Sequence, residues 1–172
     1  MHDDEVIRDD RIVLRPAKLD DVPWLAAAAE LPSIARWWGE TGDEVWRRRF
    51  VDEGEDAHRY VIEVAGAPVG FAQWYEEDDP EYRHAGMDLF LAEDAQGRGI
   101  GIEVVRLLAR WLIEVRGHHR LVIDPAADNR RAIRCYERVG FRPIGIARQR
   151  ERTQEGTWRD SLLMDLLADE LT

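Results

Sequence analysis

Hydrophobic and polar positions change period several times along the chain. Residues 11–15 alternate as a strand with one buried face does, and Pro16 ends the run. Asp20 stands where it would cap a helix over 21–30. Pro32 breaks that helix, Ser33 opens a short second one leading into Arg36-Trp37-Trp38-Gly39, and Asp43 a third through about Val51. Two β-prone runs, 60–64 and 69–75, flank Ala65-Gly66-Ala67-Pro68, which predicts an antiparallel hairpin. After a polar, proline-containing loop over 76–82, residues 85–91 predict a strand with Met87, Leu89 and Leu91 on one face and Asp88 and Phe90 on the other.

The second half reads as strand, helix, strand, helix, strand. Gln96-Gly97-Arg98-Gly99-Ile100-Gly101 opens a helix over 102–115 with apolar residues at Ile102, Val105, Leu108, Ala109 and Leu112. A short strand over 120–123, a helix over 129–139 closed by Gly140, and a strand over 141–147 follow. A charged loop over 149–156 and a last strand over 158–167 complete the pattern. Strands joined through helices require at least one parallel crossover, whereas the hairpin is antiparallel, so the expected class is mixed α+β in a single domain over 1–172.

Composition narrows the function. The net charge of -11, from 35 acidic and 24 basic residues, opposes binding to nucleic acid and to anionic membranes. It either draws a polycationic substrate or simply keeps the chain in solution. No apolar run reaches the roughly 20 residues of a membrane span. Met1-His2-Asp3-Asp4-Glu5 lacks the basic-then-apolar order of a secretory signal, and Cys135 is the one cysteine, so a cytoplasmic location is expected. Cys135 is read as buried, the five histidines have no metal-ligand spacing, and His118-His119 as the end of a helix.

Glycines at 97, 99 and 101 let backbone amides approach an anion at the start of a helix, with Arg98 adding charge. The loop is therefore read either as a pyrophosphate site or as a tight strand-to-helix turn. The Gly-Lys-Ser/Thr ending of a P-loop is missing and the spacing departs from a dinucleotide fingerprint.

About 30 residues further on stands a second motif, with Asn129, Ala132, Tyr136, Gly140 and Phe141 in N-x-x-A-x-x-x-Y-x-x-x-G-F spacing. Together with Q/R-x-x-G-x-G/A at Gln96 to Gly101, it resembles the GCN5-related N-acetyltransferase superfamily. The resemblance runs from Arg11 to about Leu167. Within that superfamily the chain is similar to the aminoglycoside 6'-N-acetyltransferases through Leu14-Arg15-Pro16, Trp37-Trp38-Gly39, Pro68-Val69-Gly70-Phe71-Ala72-Gln73, Gly86-Met87-Asp88, Asp124-Pro125 and Ala132-Ile133-Arg134-Cys135-Tyr136-Glu137. Some of these strings also occur in relatives that acylate lysine-derived siderophore precursors. Segment 76–82 looks shorter than its family counterpart and 147–157 longer; both border the amine site in the family.

The resemblance implies a central, mostly antiparallel twisted sheet flanked by helices, with its parallel crossover at the acetyl-CoA site. It implies acetyl-CoA as co-substrate, no metal, and direct attack by a primary amine in a ternary complex. Acetyl-CoA would be held by Leu91, Gln96, Gly97, Arg98, Gly99, Ile100, Gly101, Asn129, Ala132 and Tyr136. An ammonium cannot attack a thioester until it loses a proton. Asp88, an acid inside an otherwise apolar strand, matches the family's active-site aspartate; the alternative is a solvent-facing position. Tyr136 would give a proton to the departing thiolate or else pack helix on sheet. A backbone amide of 88–91 would meet the oxyanion.

Trp37 and Trp38 would wall a sugar ring or else join the core. Asp124 would hold an ammonium group or cap the following helix. The acidic run Glu76-Glu77-Asp78-Asp79 would draw a polycation or be a solvated loop. The expected partner is a small polycationic amine, and the chain a monomer or homodimer. Acylation of lysine or hydroxylysine siderophore precursors or of a protein N-terminus stands as the alternative enzyme, and a CoA-binding regulator or drug-sequestering module as the non-enzyme.

Overall fold

The computed structural model describes residues 5–51 and 57–172; Met1-His2-Asp3-Asp4, part of the segment read for export, lies outside the described residues. The chain forms two compact units, each assembled from two stretches: Met1–Tyr75 with Asp88–Ile100, and Glu76–Met87 with Gly101–Thr172. The divisions fall inside two continuous strands and a helix, so no linker composition marks them.

In the first unit, β1 (Ile7–Arg8), β2 (Ile12–Pro16), β3 (Ala57–Val64), β4 (Ala67–Glu77, here to Tyr75) and β5 (His84–Leu91, here from Asp88) are hydrogen-bonded neighbours in that order. Ala65 and Gly66 join β3 to β4 with φ of 52° and 76°, the doubly left-handed geometry that a two-residue hairpin turn requires. Pro68 pairs with Glu63 beside a register irregularity, where a missing N–H is tolerated. A Cβ at Gly70 would lie 2.3 Å from the Phe90 carbonyl oxygen, so only glycine permits this approach of β4 to β5.

Helices α1 (Val22–Ala29), α2 (Pro32–Trp38) and α3 (Asp43–Val51) bury Val22, Leu25, Ala29, Ile34 and Trp46 in one cluster with Phe71 of β4 and Phe90 of β5. Trp46 and Trp38 stack at 6.3 Å between ring centroids, and Trp38 meets Phe90 edge-on at 5.2 Å, an aromatic arrangement that favours packing beyond the area buried. The expected caps differ. Neither Asp20 nor Ser33 caps: Leu31 precedes α2, and Pro32 opens it from a first-turn position where its missing N–H costs nothing. Asp21 ends a short 3-10 turn and accepts both Arg15 Nη atoms at 2.8 Å, while Arg15 Nε donates to Glu63 at 2.6 Å. The Arg15 hydrogen bonds hold the Asp21 carboxyl below its usual range, and the fork ties β2 to β3 and to the entry of α1.

In the second unit the order is β5 (to Met87), β6 (Arg120–Ile123), β8 (Trp158–Leu167), β7 (Arg142–Arg152). β5 and β6 are parallel through Ala85↔Leu121 and Gly86↔Val122; the chain between them carries α4 (Ile100–Glu114). β6–β8 and β7–β8 are antiparallel, so the mixed class and the parallel crossover stand as expected. On α4, Val105, Leu108, Ala109 and Leu112 are buried and Ile102 is half-buried, close to the stripe read from the sequence.

Two loop expectations are corrected. The charged stretch 149–152 belongs to β7, held by Arg159 donating to Glu151 at 2.9 and 2.7 Å; an exposed edge ribbon has no apolar alternation to reveal it. Glu76 lies within β4, not in a solvated loop. It accepts from Arg116 at 2.6 Å and bonds His118 Nε2 at 2.7 Å. His118 does not simply end the helix: it follows α4, is 1% exposed, and its Nδ1 is buried without a partner. Arg83 ties the same turn down through the carbonyls of Arg116 and Gly117.

Burial lowers the His118 pKa from 6.5, outweighing the Glu76 bond, so the native state favours the neutral ring. The unfolded chain then binds the extra proton first, and stability is lost as pH falls below about 6.5. Although burial alone would raise it, the bonds from Arg116 and His118 hold Glu76 below its ordinary 4.5, so its contribution is lost at still lower pH. Thermal midpoints measured from about pH 8 to 5 should therefore fall on acidification, with a smaller drop across pH 6.5 to 5.5 in His118→Gln.

Candidate active site

Asp88 sits in β5 with its side chain half-buried. The burial sequence of the strand departs from strict alternation: Met87 and Phe90 are buried, while Asp88 and Leu89 between them are both intermediate. Leu89 thus does not share the burial of Met87 that period two implies. Gln73 of β4 donates its Nε2–H to Asp88 Oδ2 at 3.0 Å. Sequence reasoning quoted Gln73 only within a family string; its signal was an uncharged donor between Phe71 and Tyr75, where alternation continues an aromatic face.

β5 leads through a 3-10 turn (Glu93–Ala95) to Gln96, whose side-chain amide donates to the Leu91 carbonyl at 2.8 Å and closes the loop on the strand's end. Gly97 and Gly99 follow with φ of 74° and 79°, and the space a Cβ of Gly99 would enter is open. These glycines answer to backbone conformation and an open approach, the condition for amides to reach a phosphate. Arg98 is exposed, whereas the Ile100 side chain is buried, so Ile100 has its backbone to offer a ligand. Trp38 packs against the aromatic cluster, as its core reading expected, and Trp37 is half-buried beneath the Arg36 guanidinium, 4.2 Å from its ring centroid.

In the second unit Gly101 lies in the first turn of α4. Asp124 follows β6 and accepts from Arg150 Nε at 2.6 Å; it does not cap the next helix. That cap is Asn129, whose side chain accepts the Ala132 N–H at 3.2 Å at the start of α5 (Arg130–Glu137). Tyr136 is 8% exposed, with its ring 5.9 Å from that of Phe141. Cys135 is half-buried, and burial pushes its thiol up to about 11. Among the described residues, no group of three or more His, Cys, Asp or Glu side chains is placed to hold a metal ion, and no helix is long and apolar enough to cross a membrane.

The Gln96 to Gly101 motif thus lies on a strand ending in a side-chain-locked turn, two left-handed glycines and then a helix. The family model "Acetyltransferase (GNAT) domain" matches residues 18–148. The chain belongs to the GNAT acetyltransferase family. It is 32% identical over 159 residues to the aminoglycoside N(6')-acetyltransferase type 1 of Klebsiella pneumoniae, covering 80% of this chain and 77% of that protein. A solved structure of AAC(6')-Ib with ribostamycin and coenzyme A superposes with a TM-score of 0.78 at 27% identity, covering 94% of this chain and 96% of that one. The spermidine N(1)-acetyltransferase of Escherichia coli (strain K12) is 23% identical over 76% of this chain and 72% of its own length. This GNAT protein is an acetyl-CoA-dependent acetyltransferase close to the aminoglycoside 6'-acetyltransferases.

The Asn129 cap satisfies a helix-end donor that would otherwise be orphaned. Asn129→Ala should therefore lower unfolding free energy by about 1 kcal/mol, and Asn129→Asp should restore most of it, as read by denaturant titration.

Proposed function

We propose that the acceptor is the 6'-amine of an aminoglycoside and that the amine attacks acetyl-CoA directly in a ternary complex. The observation that carries this reading is Asp88, a half-buried carboxylate held by Gln73 on the strand that runs into the glycine loop. The 32% identity to an aminoglycoside N(6')-acetyltransferase supports the substrate class.

In this mechanism the backbone of Leu91, Gln96, Gly97, Arg98, Gly99, Ile100 and Gly101 takes the pyrophosphate and pantetheine, and Asn129, Ala132 and Tyr136 also bind the donor. Asp88 accepts the proton that the substrate ammonium must lose, and the nitrogen then forms its bond to the carbonyl carbon. As the C–S bond breaks, Tyr136 protonates the sulfur and regains a proton from the nitrogen, leaving an amide, the CoA thiol and one proton released to water. Trp37, Trp38 and Asp124 hold the remainder of the acceptor; since Asp124 already pairs with Arg150, a substrate ammonium there shares or displaces that partner.

The net charge of -11 would speed encounter with a polycation, an advantage that shrinks as ionic strength rises. Glu76, already paired, adds little to it.

The acceptor is tested by catalytic efficiency on kanamycin-type compounds with a 6'-amine against close analogues with a 6'-hydroxyl, alongside spermidine, free lysine and N-terminal peptides. The 6'-amine should be preferred over all of them, and Asp88→Asn should remove most activity while acetyl-CoA still raises the thermal midpoint. A larger efficiency on lysine, peptide or spermidine would overturn the acceptor and leave the reaction type standing. Tyr136→Phe should lower kcat by about 10²- to 10⁴-fold with acetyl-CoA binding retained; unchanged turnover in single-turnover measurements would return Tyr136 to packing.

A further inference from the structure

We propose that Gln73 is the positioning residue of Asp88: its side-chain amide, on β4 beside β5, holds the carboxylate in the orientation used for proton acceptance. The inference rests on the reading of Asp88 given above and adds a residue that acts through it.

Three observations carry it. Gln73 Nε2 lies 3.0 Å from Asp88 Oδ2, in a half-buried setting. A carboxylate only accepts hydrogen bonds, so the amide must present its NH₂ to it, which fixes the amide's orientation without appeal to any other contact. The backbone around Gln73 is tightly determined: in the unbroken register of β3 with β4, Arg59 stands opposite Gln73, Tyr60 opposite Ala72 and Val61 opposite Phe71. Arg59 and Gln73 therefore share the face of Phe71, and the Arg59 guanidinium lies 5.9 Å from the ring centroid of Phe50, which packs on the same helical cluster.

Phe90 places β5 on this face too, 5.9 Å from Phe71, and Asp88 is two residues before it. Gln73 thus stands opposite Arg59 in the register of β3 with β4 and touches the acid of β5. An amide suits that place. A lysine or arginine at 73 would neutralise the carboxylate and compete with the incoming ammonium, and an apolar residue would leave an oxygen with one donor fewer. Gln73 orients the acid without adding a charge of its own.

The test is a double-mutant cycle with Gln73→Met, which keeps length and removes the donor, in the parent and in the Asp88→Asn enzyme. In the parent, Gln73→Met should lower kcat by about 10- to 100-fold, the scale of a hydrogen bond to a charged group, with KM for acetyl-CoA within about twofold. In the Asp88→Asn background the same change should cost nothing further, because Gln73 acts through the missing carboxylate. An equal fold-loss in both backgrounds, or a parent kcat within about twofold, overturns the proposal.

Should Gln73→Met fail to fold, Gln73→Glu keeps shape and polarity while setting two carboxylates face to face, and is read against the same outcomes. Full activity in Asp88→Asn alone would instead overturn the proton-acceptor reading of Asp88. The two failures are therefore told apart by which single variant retains turnover.

Discussion

A half-buried carboxylate costs free energy unless its oxygens are supplied with donors, and in the first unit Gln73 is such a donor to Asp88. Trp38, Trp46, Phe71 and Phe90 build an apolar face, Gly70 lets β4 come close enough to β5 for cross-strand contact, and Gln73 then reaches Asp88. Each member is local to one strand or helix. Their conjunction depends on the β3–β4 register, which the two-residue turn at Ala65-Gly66 sets and the irregularity at Ile62/Glu63 adjusts.

The donor side relies on backbone more than on side chains. Gln96 spends its amide on the Leu91 carbonyl, Gly97 and Gly99 adopt left-handed conformations, and Ile100 turns its side chain into the core. Such a loop is fixed by three different devices at successive positions. In the acetyl-CoA reading proposed above, it would offer backbone N–H groups, whose direction does not depend on rotamers, with the exposed Arg98 as an addition.

Much of this was legible in the chain because the chemistry and the pattern coincide. The glycine spacing before an amphipathic helix announced the loop and α4, and Asp88 stood out as an acid in an apolar strand. Other features were hidden for physical reasons. A bidentate Arg15–Asp21 fork replaces the cap expected of Asp20, because long-range pairing outcompetes a local preference. The outer part of β7 is polar on both faces, so no period shows. The Glu76–Arg116–His118 cluster joins residues about 40 positions apart and looks in sequence like a solvated acidic run and a helix end. The unequal burial of Met87 and Leu89 is likewise invisible in a string that alternates on paper.

The state of Cys135 bears on the survival of the enzyme in its own reaction mixture. Every turnover releases a thiol, and an accessible thiolate attacks the disulfide of oxidised CoA, forming a mixed disulfide and expelling a CoA thiolate. Burial pushes the Cys135 thiol up to about 11, which makes its thiolate scarce at neutral pH. Burial thereby disfavours thiolate exchange between the chain's one sulfhydryl and the by-product, at the position next to Tyr136 on the same helix.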